Sequence, residues 1–181
     1  MKTNVSEKNR ELIGSVIECL SEGERLLGGM DAGVYTRNLP LAFNASIGGH
    51  YRHCLDHFRT VLQAAGGGDL NYDQRERGTA IETDCAAALL ATRQLREAFA
   101  KLDPLCLARP LAVTCQTSKG MAGSQTADSS LGREIMYAVS HAVHHYALIG
   151  IMAGMMGITM PQGFGVAPST LKHQAEAARA A

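Results

Sequence analysis

Six of the chain's seven histidines fall in two short windows, His50, His53 and His57 and then His141, His144 and His145. Imidazole is the commonest protein ligand for first-row divalent metals, and histidines four apart on a helix project from one face. Both windows lie in stretches with helical periodicity, so two histidine-bearing helices that face each other would make a metal site. Helix geometry narrows which rings can share an ion. Residues four apart are separated by about 6 Å along the axis and about 40° around it. His141 and His145 meet that condition, and His141 and His144 meet it more loosely. His144 and His145 differ by about 100° in direction and cannot both face one ion. In the first window His50 and His57 lie about 10.5 Å apart along the axis, too far for one ion, while His53 is compatible with either. That helix therefore supplies one or two ligands. Three protein ligands plus an exchangeable position is the arrangement of a catalytic site, not a structural one. Glu134, on the face of His141 and His145, is a candidate orienting carboxylate, and Asp56 is another beside the first window. The plainer alternative is that each histidine is a partly buried residue with one hydrogen bond.

Helices must position these rings, and the sequence spaces them out. The first runs from about Ser6 to Leu27 on an apolar stripe of Leu12, Val16, Leu20 and Leu27, and Gly28-Gly29 stops it. Asp31 to Phe43 reads as a connecting loop. The second helix starts at Ser46, a good N-cap, and ends before Gly66-Gly67-Gly68. Its stripe is Ile47, Tyr51, Cys54, Phe58, Val61, Leu62 and Ala65, with the three histidines at the margin and His53 furthest from the centre. On that stripe alone, His50 or His57 is the favoured ligand. A capping-box pattern, Thr79-x-x-Glu82, opens the third helix, which ends before Pro104. From Pro104 to Asp128 periodicity is lost, with one short strand at Leu111–Cys115 and loop beyond it. The fourth helix starts at Ser129 or Ser130 and runs to about Gly157. It is apolar enough to be a central helix buried all round. Residues 166–181 form a short tail with an Ala-rich helix. The expectation is an all-α four-helix bundle over residues 1–181, a single domain, with crossover connections because two of the links are too long for tight turns.

Composition excludes several classes. Lys plus Arg and Asp plus Glu both number 17, so formal charge is zero and no basic face invites nucleic acid. Three histidines and a serine in the most apolar stretch argue against a membrane span. The start, Met1-Lys2-Thr3-Asn4, leads into a charged helix and not a signal stretch, which points to a cytoplasmic protein. Five cysteines without a C-x-x-C pair read as reduced, mostly buried thiols.

Ile47-Gly48-x-x-x-x-His53-x-x-Asp56 and His141-x-x-His144-His145 resemble the second- and fourth-helix motifs of the DinB/YfiT-like superfamily. Helix order and spacing match over most of the chain, and these two motifs are its specific part. The resemblance implies a four-helix bundle, a homodimer, and a divalent ion (Zn, Ni or Fe) on His53, His141 and His145. His50 and His57 are additional and stand as second-tier candidates. Where many members carry Arg-Gly-Gln after the paired histidines, this chain has Tyr146-Ala147-Leu148. Characterised relatives include thiol-dependent transferases and isomerases, so the resemblance implies a metal-dependent transferase or hydrolase acting on a small-molecule substrate, with a low-molecular-weight thiol as partner. The logic is chemical: a bound divalent cation lowers the pKa of a thiol or water.

Other segments are candidates to serve such a site. In Tyr72-Asp73-x-Arg75-x-Arg77, an arginine would suit a substrate carboxylate, against a solvated loop with ion pairs to Glu76 and Glu82. Residues 163–170 suit a lid or a plain wrap. Met152, Met155, Met156 and Met160 read as gap-filling core or dimer contact. The rival functions are a non-catalytic dimeric interaction or stress-response protein with structural histidines, and a helical module for a small apolar ligand.

Overall fold

Polar residues decide where most of the helices begin. A side-chain oxygen that accepts an otherwise orphaned amide of the first turn fixes the start of a helix. Asp31 does this for Gly33 and Val34, Ser46 for Gly49, Asp84 for Ala86 and Ser130 for Arg133. The computed structural model describes residues 5–74, 76–119 and 123–180. Its elements are α1 (Val5–Gly28), α2 (Ala32–Thr36), α3 (Ile47–Ala65), β1 (Leu70–Asn71), α4 (Ala80–Thr83), α5 (Cys85–Ala100), β2 (Pro110–Cys115), β3 (Gln125–Ser130), α6 (Leu131–Met155) and α7 (Pro168–Ala180), with 3-10 turns at Pro40–Ala42 and Pro104–Ala108.

The molecule is predominantly helical. α1 packs along α5 and α3 along α6, with further contact of α1 to α6 and of α3 to α5. The apolar stripes read from the sequence meet in one core that holds Val16, Leu20, Ile47, Leu55, Phe58, Phe99, Ile135 and Ile149. Adjacent in sequence to His50 and His145 stand two buried tyrosines, Tyr51 of α3 and Tyr146 of α6, stacked with centroids 6.2 Å apart. Tyr51 shares a hydrogen bond with Thr92 of α5 (2.8 Å), and the Tyr146 hydroxyl donates to the Cys19 carbonyl of α1 (3.2 Å). Both hydroxyls sit where a Cβ on Gly23 would be, so only glycine lets α1 close over this pair. The pair thus ties α1, α3, α5 and α6 together.

A three-stranded sheet, which an all-α expectation omits, joins the ends of α3 and α6. β1 is parallel to β2, and β2 is antiparallel to β3. Leu111–Cys115 is a strand as its β-branched and apolar residues predict. Its partner is a polar run, Gln125–Ser130, read as loop because nothing in it alternates in hydropathy. What holds it is pairing along the whole of β2, with Thr114 and Thr126 hydroxyls 2.9 Å apart.

Three further differences have physical causes. The segment 31–43 contains α2, which five residues and an Asp cap suffice to make. The helix expected from Thr79 is broken: Thr79 makes no side-chain cap, α4 ends after four residues, and Asp84 caps a fresh start. α4 lies against the first turn of α3 at Gly48, where a Cβ would overlap the Glu82 carbonyl. Finally, α6 is not buried all round; Met136 (60%), Ile151 (62%) and Met155 (46%) are exposed on its outer face. Residues 163–170 wrap back onto α6, with Phe164 stacked on Tyr146 at 5.0 Å. Among the described residues no helix is long and apolar enough to cross a membrane.

Candidate metal centre

α3 and α6 face each other along the edge of their apolar stripes, and the histidines at those edges meet. His53 Nε2 lies 2.9 Å from His141 Nε2, and His50 Nδ1 lies 2.9 Å from His145 Nδ1. One ring nitrogen each of His53, His141 and His145 falls within 4.8 Å of the other two, and all three residues are half-buried. A tetrahedral site with metal–nitrogen bonds of about 2.0–2.1 Å has nitrogens about 3.3 Å apart. The observed separations bracket that value, so side-chain rotation suffices to gather the three donors. The donor set of three neutral imidazoles suits Zn, Ni or Fe.

The second-tier pair, His50 and His57, adjoin these three rings. His50 is the hydrogen-bond neighbour of His145 (2.9 Å). His57 is buried, and its Nδ1 lies 3.0 Å from the His53 carbonyl, which can only accept. His57 Nδ1 therefore carries the proton, and Nε2 is the basic nitrogen of the neutral ring. Its ring stacks on His141 at 4.1 Å and meets His53 edge-on at 4.6 Å. His144 is exposed on the far side of α6 from the core, as the 100° argument requires. The apolar stripe of α3 favoured His50 or His57 over His53. Because α6 packs against the margin of that stripe, all three α3 histidines reach it: His53 meets His141, His50 meets His145, and His57 stacks on His141.

The expected orienting carboxylates are engaged elsewhere. Glu134 is buried to 1% and accepts from Tyr72 (2.8 Å), Ser129 (2.6 Å) and Arg133 (2.8 Å). Its link to the histidines runs through Tyr72, whose ring stacks on His57 at 4.9 Å. Asp56 is held by Arg52 (2.6 Å) and Arg59 (3.2 Å). Two aromatic residues of the centre had no role assigned from the sequence, where Tyr72 stood only as the first residue of the charged Tyr72–Arg77 segment. Tyr72 sits just past β1, where nothing local marks it, whereas Tyr137, 5.6 Å from His141, precedes it by one helical turn and was findable by spacing. Of the arginines proposed nearby, Arg77 is exposed and Arg75 lies outside the described residues.

Burial and neighbouring imidazoles disfavour the charged form of two of these histidines. Burial, with His50, His144 and His57 nearby, pushes the His145 pKa down to about 4. Burial and then His144 lower that of His50. Uncharged imidazoles hold lone pairs that a cation needs. Thiols behave oppositely. Burial pushes Cys19 up to about 12, and raises Cys54, Cys85 and Cys106, so none of these four is a thiolate nucleophile at neutral pH. An open cleft of about 520 Å³ runs beside the centre, bordered by His50, His53, His145, Arg52, Glu82 and Asn44 among others.

No family model matches this sequence, and no solved structure matches it. A stretch of 104 residues, 58% of the chain, is 35% identical to FK506-binding protein 5 of the fungus Rhizopus delemar. That stretch spans 27% of the fungal protein, so the chain corresponds to about a quarter of its length.

Proposed function

We propose that the chain is a DinB-like four-helix-bundle metalloprotein in which His53, His141 and His145 hold a divalent cation, Zn, Ni or Fe, and which acts as a metal-dependent transferase or hydrolase. One observation carries this reading: three imidazole nitrogens from two helices lie within 4.8 Å of one another, beside an open polar cleft. The bound cation would supply Lewis acidity, lowering the pKa of a water or a small thiol so that it attacks at neutral pH. The protein's own groups do the rest. His50 engages Nδ1 of His145 and leaves Nε2 for the cation. His57 holds the backbone of His53 through its Nδ1 proton, and Tyr72, fixed by Glu134, packs on His57. Free thiols throughout suit a reducing compartment, the cytoplasm.

The name of the fungal protein speaks of FK506 binding, but the matched stretch is 27% of that protein and brings no ligand to this centre. A second reading is favoured by the exposed apolar residues of α6: a non-catalytic bundle that pairs with a second copy of itself. Elemental analysis of protein purified without chelator or nickel resin separates the two. About one equivalent of Zn, Ni or Fe per chain is expected; a metal-free, fully folded dimer that takes up none on addition rejects the metalloprotein.

A further inference from the structure

We propose that the cleft beside the three histidines takes a small molecule through a carboxylate, which Arg52 binds in the place that Glu82 now holds. This deepens the metal-centre reading and rests on it for the second anchor.

Arg52 is one residue from His53 on α3, and its guanidinium lines the same cleft as His50, His53 and His145. Its side chain is 14% exposed, and it faces two carboxylates that differ in kind. Asp56, 5% exposed, takes Nη1 at 2.6 Å and is also held by Arg59, so it is a fixed part of the helix. Glu82, 33% exposed, stands 3.4 Å from Nε, and that buried N–H makes no aligned hydrogen bond. A guanidinium edge offers parallel N–H groups that match a carboxylate's two oxygens, and this edge is not used that way. Glu82 arrives from α4, which close approach at Gly48 lays over the first turn of α3. It is an anion on a short separate element, at the wet mouth of the cleft.

Charge completes the argument. Arg52 and Arg59 balance Asp56 and Glu82. If Glu82 turns to solvent, the cleft gains one uncompensated positive charge, next to a centre where three neutral imidazoles would leave a dication's charge whole. An incoming carboxylate compensates the charge on Arg52 and can align with Nε where Glu82 does not. Asn38 and Asn44 also line the cleft. The class of substrate that fits is a compact molecule with a carboxylate at one end and the metal-reactive group at the other.

The test uses the full chain and two probes of equal length, 3-mercaptopropionate and the neutral 3-mercapto-1-propanol. In metal-free protein the arginine side-chain ¹H–¹⁵N spectrum reports Nε directly, with the Arg52 signal assigned by its loss in Arg52→Gln. The acid should shift that signal saturably and the alcohol should not. Glu82→Gln, which leaves the Asp56 pair intact, should tighten the acid's titration several-fold; an Arg52 signal unmoved by the acid in both proteins overturns the proposal. In Co²⁺-loaded protein, thiolate-to-cobalt absorbance should show the acid binding about tenfold tighter or more, as a charge-assisted bond implies. Equal affinities there also overturn the carboxylate subsite while sparing the metal centre. A protein that takes no Co²⁺ yet shows the Arg52 shift refutes the metal reading and keeps the subsite.

Discussion

Replacing His141 by Ala removes one of three gathered nitrogens and should uncouple metal from stability. In the wild type, His53 comes from α3 and His141 and His145 from α6, so a bound ion ties the two helices only in the folded chain. A ligand that binds the native state alone, at 100 times its Kd, adds about 2.7 kcal/mol. For a domain of this size each kcal/mol moves Tm by about 2–4 °C, so Zn²⁺ at that excess should raise Tm by about 5–11 °C. The geometry sets a further constraint. Drawing nitrogens from 4.8 Å to the tetrahedral edge of about 3.3 Å takes about 1.5 Å, within reach of side-chain torsions. Helix content by circular dichroism should therefore stay constant as Zn²⁺ is added. His141→Ala leaves two donors, and the Tm gain should fall to about 1 °C or less at the same Zn²⁺. His144→Ala is the control, because that ring is exposed and is not one of the three gathered ligands. It should keep the wild-type gain. A full gain in His141→Ala, or its loss in His144→Ala, would refute the assignment of ligands.

Two other outcomes follow from groups around the centre. Tyr72→Phe keeps the ring against His57 but removes one of three donors to buried Glu134, which should cost about 1.5–3 kcal/mol in urea unfolding with metal content unchanged; an unmoved midpoint contradicts the role given to Tyr72. In chelated protein, His145 has its pKa lowered to about 4 in the fold while the unfolded chain keeps about 6.5. Between these values the unfolded state binds the extra proton, so stability is full above pH 6.5 and is lost as pH falls towards 4. After discounting for water's access to a half-buried ring, the loss is about 1–2 kcal/mol, read as a lower urea midpoint at pH 5 than at pH 7. Equal midpoints in wild type and His145→Gln across that range would contradict it.

How much of this was legible beforehand depended on whether a residue's role was local. Ser46 could be read as a cap because its partner, the Gly49 amide, is three residues away. The apolar stripes of α1 and α3 were legible for the same reason: helical period repeats within one segment. The pairing of His141 with His145 followed from helix geometry alone. By contrast, the choice of His53 over His50 and His57 depends on which edge of α3 meets α6, a relation between segments 88 residues apart that no local period encodes. Tyr72 joins Glu134 from 62 residues away, and Glu134 reads locally as a helix-dipole residue. β3 was invisible because its hydrogen bonds come from its neighbour and not from its own residue preferences. The break between α4 and α5 was hidden by a capping pattern that matched in type while Asp84, five residues on from Thr79, made the stronger cap.

Ser130 is both the last residue of β3 and the cap of α6, so strand passes into helix with no residue between them. The azimuth of α6 is therefore dictated by sheet register: β2 positions β3, and β3 aims the helix. Each residue added at that joint would swing every α6 side chain by about 100° and carry His141 and His145 off the flank of α3. The joint cannot vary in length, and the pairing of β2 with β3 thereby governs which imidazoles can meet.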